Sequence, residues 1–247
     1  MAKVIIAPNT TTLADTVAHY IAGTVQLAIE EHQQCFLALS GGNTPQETFS
    51  RLAEPDIASQ IDWTRVFVFW GDERCVPPDN PASNYRMAAE LLLNRVPIPT
   101  QNIYRMHGEK NPNIAAAEYE ETLKELFGRS HRINNGPRFD LDLLGMGENG
   151  HTASLFPHTP ALQEKTRWVV AQNVTEVNQW RITLTPVALN AARHTAFLVT
   201  GSKKAEMLNN VINGSYQPEL WPAQLINPPH GDLIWFIDKA AARYLQK

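Results

Sequence analysis

Short apolar runs recur along the chain, and between them apolar positions fall three and four residues apart. Val4 to Ala7, Phe36 to Leu39, Val66 to Trp70, Leu141 to Leu144, Thr195 to Thr200 and Leu233 to Ile237 are nearly continuous runs, rich in β-branched and aromatic residues. Such runs predict strands buried on both faces. The longest helical pattern spans Thr12 to about His32, with Leu13, Val17, Tyr20, Ile21, Val25 and Ala28 on one side. Thr12 and Asp15 have capping-box spacing at its start. Further helical patterns cover Asn84 to Leu93, Ile114 to Phe127, Thr185 to Ala192 and Lys203 to Asn210. Strand and helix alternate throughout, which predicts an α/β fold: a mainly parallel sheet with helices on both faces.

Composition narrows the picture. A chain of 247 residues, 43% hydrophobic, can bury a large core. It shows no repeat and no low-complexity tract. Its proline clusters, Pro77-Pro78, Pro97 to Pro99 and Pro228-Pro229, read as loops, so residues 1–247 are expected to form one domain. With 19% charged residues and a net charge of -4, the chain carries no footprint for nucleic acid and no polybasic membrane patch. Cys35 and Cys75 form no C-x-x-C, and the eight histidines show no metal-ligand spacing, so no metal is expected. The chain has no signal-peptide pattern and no apolar stretch long enough to span a bilayer, so the expected location is cytoplasmic.

In open parallel sheets, ligands bind at the carboxyl ends of the strands. Four loops there carry candidate chemistry. In "LALSGGNTPQETF", Ser40-Gly41-Gly42-Asn43 turns the chain, Thr44 fits an N-cap, Pro45 fits N1 and Glu47 fits N3. A glycine loop entering a helix offers free backbone N–H groups to a phosphate, and the alternative is a tight turn with no ligand. In "FVFWGDERCVPP", an apolar strand delivers Asp72, Glu73 and Arg74 to its end. Three such charges are expected outside the core, either as a solvated turn or as the rim of an active site.

The third loop, "LLGMGENGHTASLFP", contains a literal G-x-G-x-x-G from Gly145 to Gly150. A dinucleotide site needs a helix after these glycines and an acidic residue roughly 20 positions on. Here Pro157 and Pro160 interrupt any helix, and the nearest acids downstream, Glu164 and Glu176, are poorly placed. The better reading is that the glycines bring backbone close to a small ligand and set His151 at a helix start, either for acid–base work or as a structural or merely exposed histidine. Ser154, three residues on, reads as a polar helix residue rather than a nucleophile. The fourth loop region holds Arg181 and, after the strand "TAFLVT", Lys203 and Lys204 at a helix start. Cations there oppose the helix dipole, so an anionic ligand would explain them; otherwise they are solvated.

Together, "LSGGNTP", "GDERCVP" with "SNYRM", "LLGMGENGHTASLFP" and "RITLTPVALNAAR" followed by "GSKKAE" resemble the 6-phosphogluconolactonases. The segment "GHTASLFP" separates that family from the related glucosamine-6-phosphate deaminases. The resemblance implies hydrolysis of 6-phospho-D-glucono-1,5-lactone in the oxidative pentose phosphate pathway, without a cofactor. The implied partner is that small sugar-phosphate lactone, with neither nucleic acid nor membrane. It implies His151 as general base, with activity rising through a pKa near ~6.5 if unperturbed. It further implies Arg74 as anion stabiliser or substrate clamp, Asp72 as orienter, and Ser40, Gly41, Gly42, Asn43, Thr44, Arg181 and Lys204 on the phosphate. The roles of Arg74 and Arg181 are interchangeable at this level. The chain departs from the family where Asn149 stands in place of the usual Asp before Gly-His. Either that carboxylate is dispensable or Asp72 supplies its charge. The competing readings are an amino-sugar-phosphate isomerase or deaminase, which needs more acid–base groups, and a non-catalytic sugar-phosphate sensor, which has no need of His151.

Overall fold

The computed structural model describes residues 2–128, 132–133 and 136–245. The first half of the chain forms β1 (Lys3–Ala7), α1 (Thr10–His32), β2 (Cys35–Leu39), α2 (Thr44–Leu52), α3 (Pro55–Ala58), β3 (Val66–Trp70), β4 (Asp72–Arg74), α4 (Asn84–Leu91) and α5 (Pro112–Phe127). The second half forms β5 (Arg132–Ile133), β6 (Gly136–Pro137), β7 (Leu141–Gly145), β8 (Val169–Val174), β9 (Gln179–Leu184), α6 (Pro186–Leu189), β10 (His194–Val199), α7 (Ala205–Asn213) and β11 (Asp232–Asp238). Six strands make a parallel sheet in the order β1-β11-β10-β7-β2-β3. These are the six apolar runs of the sequence. Among the described residues, no helix is long and apolar enough to cross a membrane.

Successive side chains of a strand point to opposite faces, and here each face has its own core. Leu37, Leu141, Leu143, Ala196, Leu198 and Phe236 pack with Leu13, Val17, Ile21 and Val25 of α1 and with Phe49 and Leu52 of α2. Phe36, Ala38, Leu144, Phe197, Val199, Trp235 and Ile237 pack on the other face with Tyr119, Leu123 and Phe127 of α5 and Leu208 of α7. Each fully buried Leu, Ile, Val or Phe among them contributes about 1.5–3 kcal/mol. Burial on both faces is why these strands read as continuous apolar runs.

The structure departs from the sequence expectations at helix boundaries. Helix α1 begins two residues early because Asn9 caps it, its Oδ1 accepting from Thr12 N at 2.8 Å. Asp15 forms no capping box and pairs instead with Arg51 Nε at 2.7 Å. Thr44 is the first residue of α2 rather than its cap, and Asn43 before it makes no side-chain capping bond. The Thr44 hydroxyl meets Thr200 Oγ1 at 3.2 Å. The expected helix from Thr185 to Ala192 shrinks to the four residues of α6.

A second sheet was not legible. Strands β4, β9 and β8 pair antiparallel in that order, and Val169, Val170, Ile182 and Leu184 pack on the α5 side of the main sheet. Pairing with β9 draws Asp72 and Glu73 inward, against the expectation that these charges stay outside the core. Glu73 is 3% exposed. Its carboxylate accepts from Arg74 N and Asn84 N at 2.8 Å each, Tyr85 N at 2.9 Å and Ser83 Oγ at 3.0 Å. Burial pushes its pKa up, and the backbone donors pull it back. Glu73 thus ties β4 to the start of α4. Glu73→Ala removes the acceptor of several buried donors and is expected to lower unfolding stability by about 1–3 kcal/mol, read by denaturant unfolding. A change within about 0.5 kcal/mol, the range of an ordinary surface substitution, would contradict this role.

Candidate active site

The carboxyl ends of β2, β3 and β7 open onto one pocket. Ser40, Gly41, Gly42, Asn43 and Thr44 line it from the β2–α2 turn. Asp72 and Arg74 come from β4, His151 from the loop after β7, Arg181 from β9 and Lys204 from the turn before α7. The structure therefore gathers in one cavity every residue that the resemblance assigns to catalysis or to the phosphate, from segments far apart in the chain, whereas Glu73 is committed to its own buried network and Lys203 is exposed.

The glycines of the third loop explain how the histidine is held. His151 is not at a helix start: the chain there makes turns, with a bridge between Thr152 and Leu155. A Cβ at Gly147 would lie 2.1 Å from both Cε1 and Nδ1 of His151. Gly147 is thus glycine because the imidazole folds back onto it. The other ring face stacks on Phe156, with centroids 4.0 Å apart and planes at 14°. His151 Nδ1 lies 2.6 Å from Asn149 Oδ1. Since a carbonyl oxygen only accepts, Nδ1 carries the proton. Nε2 has no hydrogen-bond partner among the described residues and is left as the basic nitrogen.

Burial lowers the His151 pKa from 6.5 to about 4. The Asp72 charge opposes this shift, and Lys204, Arg181 and Arg74 add to it. The value near 6.5 was expected only for an unperturbed ring, and this ring is perturbed: desolvation and three nearby cations all disfavour the imidazolium.

The cations are themselves without carboxylate partners at salt-bridge distance among the described residues. Strand pairing sets Arg74 directly across from Arg181. Arg181 is 8% exposed, and among the described residues its guanidinium donates only to its own neighbour, Trp180 O, at 3.3 Å. Burial and the Arg74 charge pull its pKa down. Arg74 Nη1 donates to Ala82 O. Burial also lowers the pKa of Lys204. Like charges opposite one another on a sheet are destabilising, and unpaired buried cations more so; an anion in the pocket relieves both. No backbone hydrogen bond occupies the N–H groups of Gly41, Gly42 or Asn43 among the described residues, so they also remain available to an anion.

Asp72 is oriented by two neighbours. Ser154 Oγ donates to its Oδ2 at 2.6 Å, and Asn84 Nδ2 to its Oδ1 at 3.1 Å. Ser154 is thus not a helix residue. It is buried in a turn, with its hydroxyl proton committed to Asp72 rather than to His151. Asn84 was missed by sequence reasoning, although "SNYRM" lay in a matching block. Its Nδ2 also donates to Asp72 O at 2.8 Å, and its Oδ1 is buried at the pocket wall without a partner among the described residues. A Cβ at Gly41 would lie 1.8 Å from that oxygen, so Gly41 makes room for Asn84. Phe156, the stacking partner of His151, was likewise visible only as part of "GHTASLFP". Among the described residues, no group of three or more His, Cys, Asp or Glu could hold a metal ion.

Fold and pocket together define an α/β protein whose pocket sets three cations, without salt-bridge partners among the described residues, around a neutral histidine. The chain belongs to the glucosamine-6-phosphate isomerase/6-phosphogluconolactonase family, whose profile matches residues 8–235. It is 38% identical over 241 residues to a 6-phosphogluconolactonase of Nostoc sp., covering 97% of each chain. The solved structure of 6-phosphogluconolactonase from Trypanosoma cruzi superposes with a TM-score of 0.88 at 28% identity, over 100% of this chain and 98% of that one. A monomeric glucosamine-6-phosphate deaminase shares the fold, with a TM-score of 0.82 at 20% identity over 98% and 99% of the two chains.

Two outcomes follow from the site geometry. Gly147→Ala is expected to displace the imidazole and lower activity by about 100-fold, since misplacing a reacting group by about 1 Å costs that much, with the melting temperature little changed. Activity near wild type would mean that the ring does not need this position. In the ligand-free protein, an NMR titration should find His151 protonating at about pH 4. Saturating inorganic phosphate should raise that value, because an anion offsets the three cations. A midpoint that stays put with phosphate bound would contradict the electrostatic account.

Proposed function

We propose that this chain is a 6-phosphogluconolactonase, a single α/β domain that hydrolyses 6-phospho-D-glucono-1,5-lactone with water activated by His151. The observation that carries this reading is a neutral His151, proton on Nδ1, in a pocket where, among the described residues, Nε2 has no hydrogen-bond partner and three cations make no salt bridge. The curated relatives supply the substrate class.

The phosphate takes Lys204, Arg181 and the amides from Gly41 to Thr44, which orients the lactone at the far end of the pocket. Water attacks C1 and gives its proton to His151 Nε2. Charge develops on the carbonyl oxygen, and Arg74 stabilises it. The tetrahedral intermediate collapses by breaking the C1–O5 bond, and the imidazolium returns its proton to O5. A histidine with a pKa of about 4 in the free protein is a weak base but, once protonated, a strong acid. That favours ring opening, where an alkoxide must leave. The new carboxylic acid then ionises to the gluconate. Asp72, fixed by Ser154 and Asn84, stabilises the transient imidazolium.

The test is an assay with freshly generated 6-phosphogluconolactone, corrected for spontaneous hydrolysis, with glucosamine 6-phosphate and an ammonia readout as the alternative substrate. His151→Asn should lower kcat by about 10²–10⁴-fold, the usual worth of a general base, with modest change in KM. Lys204→Ala should chiefly raise KM, by about 10–100-fold for a lost charge-assisted contact of about 1.5–3 kcal/mol. A His151→Asn enzyme within a few-fold of wild type removes the general base from the mechanism. Ammonia release from glucosamine 6-phosphate without lactonase activity overturns the function.

A further inference from the structure

The amide of Asn149 sits between His151 and a residue outside the pocket. Its Nδ2 donates to both carboxylate oxygens of Glu176, at 3.0 and 2.9 Å. Its Oδ1 accepts the backbone N–H of His151 at 3.1 Å and meets Nδ1 of the ring at 2.6 Å. Glu176 lies in the short turn Thr175–Val177 between β8 and β9, closed by Asn178 in a left-handed conformation. The tip of the antiparallel hairpin therefore reaches over to the loop that carries the histidine. As an acid for a dinucleotide ribose, Glu176 is in the wrong place; as a partner of Asn149 it has a geometric role.

An ionised carboxylate accepts hydrogen bonds and cannot donate them. The edge of the Asn149 amide that faces Glu176 must then be the NH₂ edge, and the edge that faces His151 must be the oxygen. An oxygen at that place requires a proton on Nδ1. A neutral imidazole has only one, so Nε2 is obliged to be the basic nitrogen. Remove Glu176, and a rotation of the amide turns NH₂ toward Nδ1. The ring proton then moves to Nε2, which can no longer take a proton from water. Among the described residues, only the His151 backbone bond to Oδ1 opposes that rotation.

We propose that Glu176 is a positioning residue, which holds His151 in its reactive tautomer by fixing the Asn149 amide. This rests on the reading of His151 as the base. It also shows how an uncharged Asn149 can serve beside the histidine: the carboxylate stands one residue further out and acts through the amide. In this arrangement Asn149→Asp alone brings two carboxylates face to face at Asn149–Glu176 distance. The double variant Asn149→Asp with Glu176→Gln instead moves the single negative charge inward and keeps an acceptor on Nδ1.

The test has a spectroscopic arm and a kinetic arm. With ¹⁵N-labelled histidine, the two ring nitrogens of the wild type should show Nδ1 protonated and Nε2 bare. Glu176→Ala should populate the opposite tautomer. Its kcat should fall by about 10-fold, the lower end for loss of an outer partner that orients a histidine, with KM within about twofold. Asn149→Asp with Glu176→Gln should recover both tautomer and kcat, and Asn149→Asp alone should fall below that double variant. A Glu176→Ala protein that keeps the Nδ1–H tautomer and wild-type kcat overturns the proposal. So does a loss that the double variant fails to recover. If the wild type proves to have no lactonase activity, the proposed function fails, and the tautomer arm still decides the role of Glu176.

Discussion

Strand β9 lies between β4 and β8, and its register with β4 places Arg181 across from Arg74. Two guanidiniums face each other with no carboxylate at salt-bridge distance among the described residues, and Lys204 completes the positive wall from the turn before α7. A folded protein tolerates such a pair because other interactions over-determine the backbone that carries it. The aliphatic residues Ile182 and Leu184 anchor β9 in the core, and Glu73 ties β4 to α4. On the proposed reading, the charge is thereby kept for a ligand. The same field, with burial, holds His151 neutral. Anion binding and histidine basicity are consequently one electrostatic problem: the ligand that fills the positive wall also makes the neighbouring imidazole easier to protonate.

The glycine spacing of the third loop illustrates how a pattern can be shared by unrelated chemistries. In a dinucleotide fold such glycines let a pyrophosphate approach a helix N-terminus. Here no helix follows. Gly147 admits the imidazole against the backbone, and Gly150, at φ +80°, turns the chain back toward it. The spacing describes where side chains must be absent. What occupies the vacated space is decided by the next residue, His151, and by the ring of Phe156 beneath it.

Much of this architecture is written in local pattern. The six strands of the parallel sheet are buried on both faces, so their apolar runs stand out, and the segments beyond their carboxyl ends hold the candidate residues except Arg181, which lies within β9 of the second sheet. Strand β4 was hidden because Asp-Glu-Arg has neither apolar run nor alternation; only its pairing with β9 makes it a strand. Strand β8 was hidden because Gln172 and Asn173 interrupt its apolar residues. Glu73 looks like a surface charge until its four donors are seen, and three of them come from residues 83 to 85. Asn84, Glu176 and the low pKa of His151 depend on contacts between segments distant in the chain. None of these has a periodicity or spacing of its own.

The central claim is that the positive wall takes the phosphate while His151 faces the carbonyl carbon. A crystal structure with bound 6-phosphogluconate tests it most directly. The expected result places the phosphate among Lys204, Arg181 and the amides of Gly41 to Thr44, and the C1 carboxylate within hydrogen-bond distance of His151 Nε2. A ligand bound the other way round, with its phosphate on His151 and its carboxylate on Lys204, or bound outside this pocket, would contradict the account.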